Sequence, residues 1–129
     1  YSVKDVPSNL RLVGPARPDR LAQLYSSAKL LVNTSEVEGF PNVLVEGGMY
    51  GVPYLSFLDP DGVVAKYSLG IQALSLDNMA ATIDTLMNRE DARLVLGKNA
   101  RRFVEEHRDI EKVVKKWLSL FDELGKGKT

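Results

Sequence analysis

The residues able to do chemistry lie together in one stretch, Ser35-Glu36-Val37-Glu38-Gly39-Phe40-Pro41-Asn42-Val43-Leu44-Val45-Glu46-Gly47-Gly48. Gly39 lets a ligand approach the backbone closely. Residues 40–44 read as the start of a helix that follows a strand. The free N–H groups and positive dipole end of such a start suit a phosphate or diphosphate. Glu46 lies one helical turn beyond Asn42, so the two project from about the same face. Glu38 sits in the loop before them. An ionised carboxylate only accepts hydrogen bonds, which suits the vicinal hydroxyls of a ribose or a hexose. Each charge-assisted bond of that kind contributes roughly 1.5–3 kcal/mol. Carboxylates are badly placed beside phosphate, so their task here would be sugar hydroxyls. An anion cradle flanked by two hydroxyl-reading acids describes a nucleotide-sugar site. Plainer readings stand beside it: Glu46 as a solvated helix glutamate, Glu38 as a loop charge or helix cap, and Asn42 as a cap.

The elements that must position this stretch follow from hydrophobic spacing and breakers. Leu10-Arg11-Leu12-Val13 is predicted as a strand stopped by Gly14-Pro15. Pro18 suits the first turn of a helix whose stripe is Leu21, Leu24, Tyr25 and Ala28. Leu30-Leu31-Val32 reads as a central strand covered on both faces. A helix from Pro41 to Tyr50 is ended by Gly51 and Pro53. Tyr54–Phe57 is the third strand, Asp59-Pro60-Asp61-Gly62 a turn, Val63–Ser68 a short helix, and Ile71–Leu74 a weaker fourth strand. Three helices follow, with caps expected at Asp77, Asn88 and Asp109. Their inward residues are predicted to be Met79, Ile83, Leu86 and Met87; then Val95, Phe103 and Val104; then Ile110, Val113, Val114, Trp117, Leu118, Phe121 and Leu124, with Gly125 as the stop. Alternating strands and helices over short connections imply an α/β fold, a Rossmann-like parallel sheet with flanking helices. Ligands of such sheets sit at the carboxyl ends of the strands. The expected organisation is one partial domain over 1–129, its sheet part about 9–76 and its helical part about 77–124.

Composition narrows the classes. The 129 residues carry 17 basic and 17 acidic side chains, one histidine and no cysteine. That excludes a disulfide framework and a cysteine or multi-histidine metal site. Balanced charge argues against a nucleic-acid partner. No apolar run approaches the length of a membrane span, and no leader-like start is present. These features point to a cytoplasmic domain. The lone His107, within Glu105-Glu106-His107-Arg108, is expected on a solvent-exposed loop or helix end. Lys112, Lys115 and Lys116 are expected on the wet face of the last helix.

Glu38 and Glu46, with seven residues between them, resemble the paired-glutamate motif of the retaining glycosyltransferases of family 4. The likeness extends through Ser35, Glu38-Gly39-Phe40 and the Gly51-Val52-Pro53 close. Upstream, Val13-Gly14, Leu24-Tyr25-Ser26 and Leu31-Val32 also fall where that family has them. The match is clear over about residues 9–57 and weaker to about 124. The resemblance implies the later part of the C-terminal, donor-binding domain of a two-Rossmann-domain enzyme. It implies that Glu46 binds the nucleotide ribose and that Glu38, the catalytic candidate, contacts the donor sugar. It implies that the backbone of Gly39, Phe40, Pro41, Asn42 and Val43 lines the sugar and diphosphate. No metal and no cofactor are implied, the nucleoside diphosphate sugar being a substrate. The acceptor would be held by an N-terminal domain that lies outside this chain, through which peripheral membrane attachment is also open.

The chain departs from the family pattern in three places. The basic pair that neutralises the diphosphate would precede residue 1. Gly47-Gly48 replaces the usual Glu-Ala, and each glycine inside a helix costs about 1 kcal/mol relative to alanine. The 59–62 loop lacks a double glycine. On this reading the whole enzyme transfers a hexose to an acceptor hydroxyl, and the 129 residues alone are expected to be inactive. The rivals are a nucleotide-sugar epimerase, whose loop usually has serine and two glycines before the acid, and a non-catalytic nucleotide-binding or interaction module.

Overall fold

The computed structural model describes residues 6–126. In chain order they form α1 (Pro18–Ser27), β1 (Leu31–Asn33), α2 (Asn42–Met49), β2 (Tyr54–Ser56), a 3₁₀ turn (Pro60–Gly62), α3 (Val63–Lys66), β3 (Gly70–Gln72), α4 (Leu76–Asn88), α5 (Glu90–His107) and α6 (Ile110–Lys126). The three strands make one parallel sheet in the order β1-β2-β3. Leu31, Val32 and Asn33 pair with Tyr54, Leu55 and Ser56, which pair in turn with Gly70, Ile71 and Gln72. This is the expected α/β architecture: a Rossmann-like parallel sheet flanked by helices.

The central strand is β2. Successive side chains of a strand point to opposite faces, and β2 buries both. Tyr54 joins a core with Leu44 of α2, Val63 and Val64 of α3, Leu69, and Ala100, Phe103 and Val104 of α5. Leu55 turns to the other face and packs with Ala73 and Met79 of α4. Ser56 is fully buried, and its hydroxyl accepts from the Leu58 N–H at 3.0 Å.

Several expectations are corrected. Leu30-Leu31-Val32 does not supply the central strand. β1 is the sheet edge, and Val32 is 40% exposed. An apolar run shows that a strand prefers cover; it does not say on how many sides cover is supplied. Leu10–Val13 pairs with no strand among the described residues and lies exposed. Ser75, not Asp77, caps α4: its hydroxyl accepts from the Asn78 N–H at 3.1 Å, while Asn78 Oδ1 accepts from the Leu74 N–H at 3.1 Å. Asn88 ends α4 instead of capping α5. Asp109 does cap α6, accepting from the Lys112 N–H at 3.1 Å. α6 runs through Gly125 to Lys126. Ala28, Met87 and Val95 are exposed rather than inward. The apolar stripe of α6 is also uncovered, because α6 meets the rest of the fold mainly at its junction with α5. Trp117 and Phe121 lie 55% and 59% exposed, with their rings 5.9 Å apart. His107 ends α5, the helix end expected, but it is half-buried, its ring about 5 Å from those of Tyr67 and Phe103.

Candidate functional site

The site is built where β1 ends and α2 begins. Asn33, the last residue of β1, organises the loop that follows. Its Oδ1 accepts from the Ser35 N–H at 2.9 Å, the local turn that asparagine favours at a strand end. Its Nδ2 donates to the Tyr54 hydroxyl at 3.0 Å and to Glu38 Oε2 at 3.3 Å. Glu38 is thereby tied to the carboxyl end of β1 and, through Asn33, to the buried Tyr54 of β2. It does not cap the helix after it.

Beyond Glu38 the backbone turns through Gly39 and Phe40 into α2. Gly39 is exposed, and an added Cβ there would meet open space. Phe40 is half-buried, and the Arg108 guanidinium from the end of α5 lies over its ring, 4.0 Å from the centroid. Pro41 is buried and occupies the N-cap position with extended backbone, so Asn42 is the first helical residue and not the cap. No side chain accepts from the first turn of α2. The N–H groups of Asn42 and Val43 open the helix, while the Leu44 N–H bonds back to the Pro41 carbonyl at 3.1 Å. The helix thus starts at Asn42, within the expected 40–44, but fewer N–H groups are open than expected, since Pro41 has none and that of Leu44 is bonded.

Glu46 lies one turn further on and is half-buried. The Tyr25 hydroxyl of α1 donates to its Oε2 at 2.8 Å. The Tyr25 ring stacks on that of Tyr50, centroids 5.8 Å apart and planes 17° from parallel. Burial, then the hydrogen bond and negative charge of Glu46, push the Tyr25 phenol up to about 12. α2 itself is wedged between neighbours by its two glycines. A Cβ on Gly47 would come 2.9 Å from Leu31 Cδ2, and one on Gly48 would come 2.7 Å from Val104 Cγ2 and 3.2 Å from the Ala100 carbonyl oxygen. The departure Gly47-Gly48 therefore serves close packing of α2 on β1 and α5.

The 59–62 loop closes on itself. Asp59 accepts from the N–H groups of Val64 at 2.7 Å and Ala65 at 3.2 Å, so its carboxylate caps α3. A cleft of about 590 Å³ opens at the carboxyl ends of the strands, lined in part by Thr34, Glu36, Phe57, Gln72 and Leu74. Glu36, rather than Glu38 or Glu46, is the acid on its wall. Among the described residues no cluster of three or more His, Cys, Asp or Glu side chains could hold a metal ion.

Sequence reasoning missed Asn33 and the contacts of Tyr25 and Arg108. An asparagine directly after an apolar run, with a serine two residues on, was a usable signal for the turn. Tyr25 was assigned to a buried stripe, and a buried tyrosine hydroxyl needs a partner. Arg108 gave no signal, because its contact exists only through the tertiary fold.

Glu38 in the loop and Glu46 within α2 are thus each tied by a hydrogen bond to a residue of another element, on either side of an uncapped helix start. Residues 4–103 match the family described as glycosyl transferases group 1, and the chain belongs to that family. It is 27% identical over 137 residues to GalNAc-alpha-(1->4)-GalNAc-alpha-(1->3)-diNAcBac-PP-undecaprenol alpha-1,4-N-acetyl-D-galactosaminyltransferase of Campylobacter jejuni, covering 96% of this chain and 35% of that protein. It is 26% identical over 106 residues to an uncharacterized glycosyltransferase of Haemophilus influenzae, covering 78% of this chain and 30% of that protein. The chain thus spans about a third of the length of these curated relatives. No solved structure matches it. Among the described residues no helix is long and apolar enough to cross a membrane.

Proposed function

We propose that these 129 residues are the donor-binding part of a retaining, family-4-type glycosyltransferase, from the later portion of its C-terminal domain. The whole enzyme moves a hexose from a nucleoside diphosphate to an acceptor hydroxyl. The observation that carries this reading is the passage from β1 into α2. An acid tied to the strand end, an open glycine, uncapped helical N–H groups and a second acid one turn later follow one another.

In this reading Glu46 accepts from the ribose hydroxyls and Glu38 contacts the donor sugar beside the reacting carbon. The backbone from Gly39 to Val43 lines the sugar and the diphosphate, with N–H contributions from every member except Pro41. Open space beside Gly39 leaves room for a ligand against the main chain. As the sugar–phosphate bond breaks, charge grows on the departing diphosphate, and a helix start already in place stabilises it without reorganisation. The donor is a substrate, and no cofactor is called for. The acceptor is bound by a further domain, so the chain alone is inactive in transfer. The Campylobacter relative transfers an N-acetylgalactosaminyl group to a glycan on undecaprenyl diphosphate; transfer to a glycan hydroxyl is the chemistry proposed here. A cytoplasmic location, free or membrane-peripheral, is part of the proposal.

Calorimetric titration of the chain with UDP, GDP and ADP tests it. One of them should bind, and Glu46→Ala should weaken binding about tenfold or more, as loss of a charge-assisted hydrogen bond requires. No binding by any of the three, or an affinity unmoved by Glu46→Ala, overturns the reading.

A further inference from the structure

Glu46 is held by a residue outside its own loop and helix. The Tyr25 hydroxyl of α1 reaches Glu46 Oε2 at 2.8 Å. Tyr25 is itself fixed, because its ring stacks on Tyr50, the C-cap residue of α2, at 5.8 Å. The contact therefore joins α1 to both the middle and the end of α2. A Cβ at Gly47 would lie in ordinary contact with Tyr25 Cε1, at 3.8 Å, so α1 packs closely on α2 here. A carboxylate has two oxygens with about four acceptor sites, so one donated bond leaves the other oxygen available. Oε1 of Glu46 has no hydrogen-bond partner among the described residues.

Resting on the donor-site reading of Glu46, we infer that Tyr25 is a positioning residue for the donor: its hydroxyl holds one oxygen of Glu46 and aims the other at the ligand's vicinal hydroxyls. A glutamate on a helix surface otherwise samples many rotamers, and ordering it costs binding energy when ligand arrives. Tyr25 orders it beforehand. The phenol is pushed up to about 12, so it remains a donor throughout the physiological range.

The test is a double-mutant cycle on nucleoside diphosphate affinity, using the chain with Tyr25→Phe, Glu46→Ala and the pair. Tyr25→Phe keeps the ring and its stacking and removes only the donor. It should weaken binding about fivefold, the order expected when one flexible side chain must be ordered by the ligand instead of beforehand. In the Glu46→Ala background the same substitution should have no effect. A melting temperature measured for each protein separates positioning from folding. Unchanged affinity in Tyr25→Phe overturns the inference. So does an equal loss in both backgrounds, or a loss that tracks a lowered melting temperature. Glu46→Ala binding as well as the unaltered chain overturns the donor reading itself, which is a different outcome.

Discussion

The adjacent glycines of α2 give a prediction with opposite signs at neighbouring positions. Gly47→Ala and Gly48→Ala each gain about 1 kcal/mol of helix propensity. What the new methyl meets differs. At position 47 the near atom is Leu31 Cδ2 at 2.9 Å, the far end of a flexible side chain on an edge strand, and Tyr25 Cε1 at 3.8 Å is an ordinary contact. Leu31 can rotate aside, so Gly47→Ala should be neutral or up to about 1 kcal/mol more stable. At position 48 the methyl comes 2.7 Å from Val104 Cγ2, on a β-branched side chain 7% exposed, and 3.2 Å from the Ala100 carbonyl oxygen. Neither can yield without moving α5, and overpacking of this kind costs typically about 1–3 kcal/mol. Net of propensity, Gly48→Ala should lose about 1 kcal/mol, within a range of roughly 0–2. For a domain of this size that lowers the melting temperature by about 3–6 °C. Urea denaturation of the two variants beside the unaltered chain measures the difference, with unchanged m-values showing that the native state has been compared like for like. Displacing α2 also displaces Glu46, so nucleotide affinity should fall in Gly48→Ala and hold in Gly47→Ala. A Gly48→Ala protein more stable than the original would refute the close packing of α2 on α5.

Two further outcomes follow from burial and charge. Spectrophotometric titration of Tyr25→Phe against the unaltered chain should assign to Tyr25 a phenol ionising near 12. Because that value is raised above the unfolded one, its contribution to stability is fully present below about pH 10 and falls as pH rises towards 12; a difference spectrum titrating near 10 would contradict the Glu46 contact. Phe103→Ala, at a site 4% exposed, should cost about 3–5 kcal/mol in chemical denaturation, whereas Trp117→Ala, at a site 55% exposed, should cost the isolated chain less than about 0.5 kcal/mol. Equal losses would mean that α6 is packed after all.

What could be read from the residues alone was local. Pro18 opens α1, and Gly51, with φ +69, carries the chain out of α2 towards Pro53. Stripes at helical spacing placed Met79, Leu86, Phe103 and Val104 in the interior, where they lie. Errors appeared wherever the answer depended on a neighbour. Leu31-Val32 and Tyr54-Leu55 are both short apolar runs, yet only the second has a strand on each side, and periodicity carries no record of that. The most amphipathic helix is α6, and its face is uncovered. Amphipathicity registers that a face is built for contact and is silent about which surface meets it. At the site the same division holds. The two acids and the helix start were visible as types and spacing. The groups that orient them, Asn33 on Glu38, Tyr25 on Glu46 and Arg108 on Phe40, come from other elements.

That division explains why the doubled glycine belongs to the site as well as to the core. On the proposed donor reading, N–H groups at the head of α2 and the carboxylates of Glu38 and Glu46 meet one ligand, so α2 must be fixed in three dimensions, since a shift near 1 Å spoils a positioned hydrogen bond. α2 has eight residues, too few for its own hydrogen bonds to hold it. Tertiary contact must do so, and small residues allow the closest approach. Gly47 admits Leu31 and the Tyr25 ring on one side, and Gly48 admits the Ala100 carbonyl and Val104 on the other. Arg108, from the same helix as Ala100 and Val104, then closes over Phe40 at the head of α2. The helix that carries Glu46 is thus clamped along its length by α5 and tied at Glu46 to α1. The propensity lost at Gly48 is offset by a packing on α5 that a larger residue would prevent, whereas at Gly47 a methyl is accommodated once Leu31 rotates.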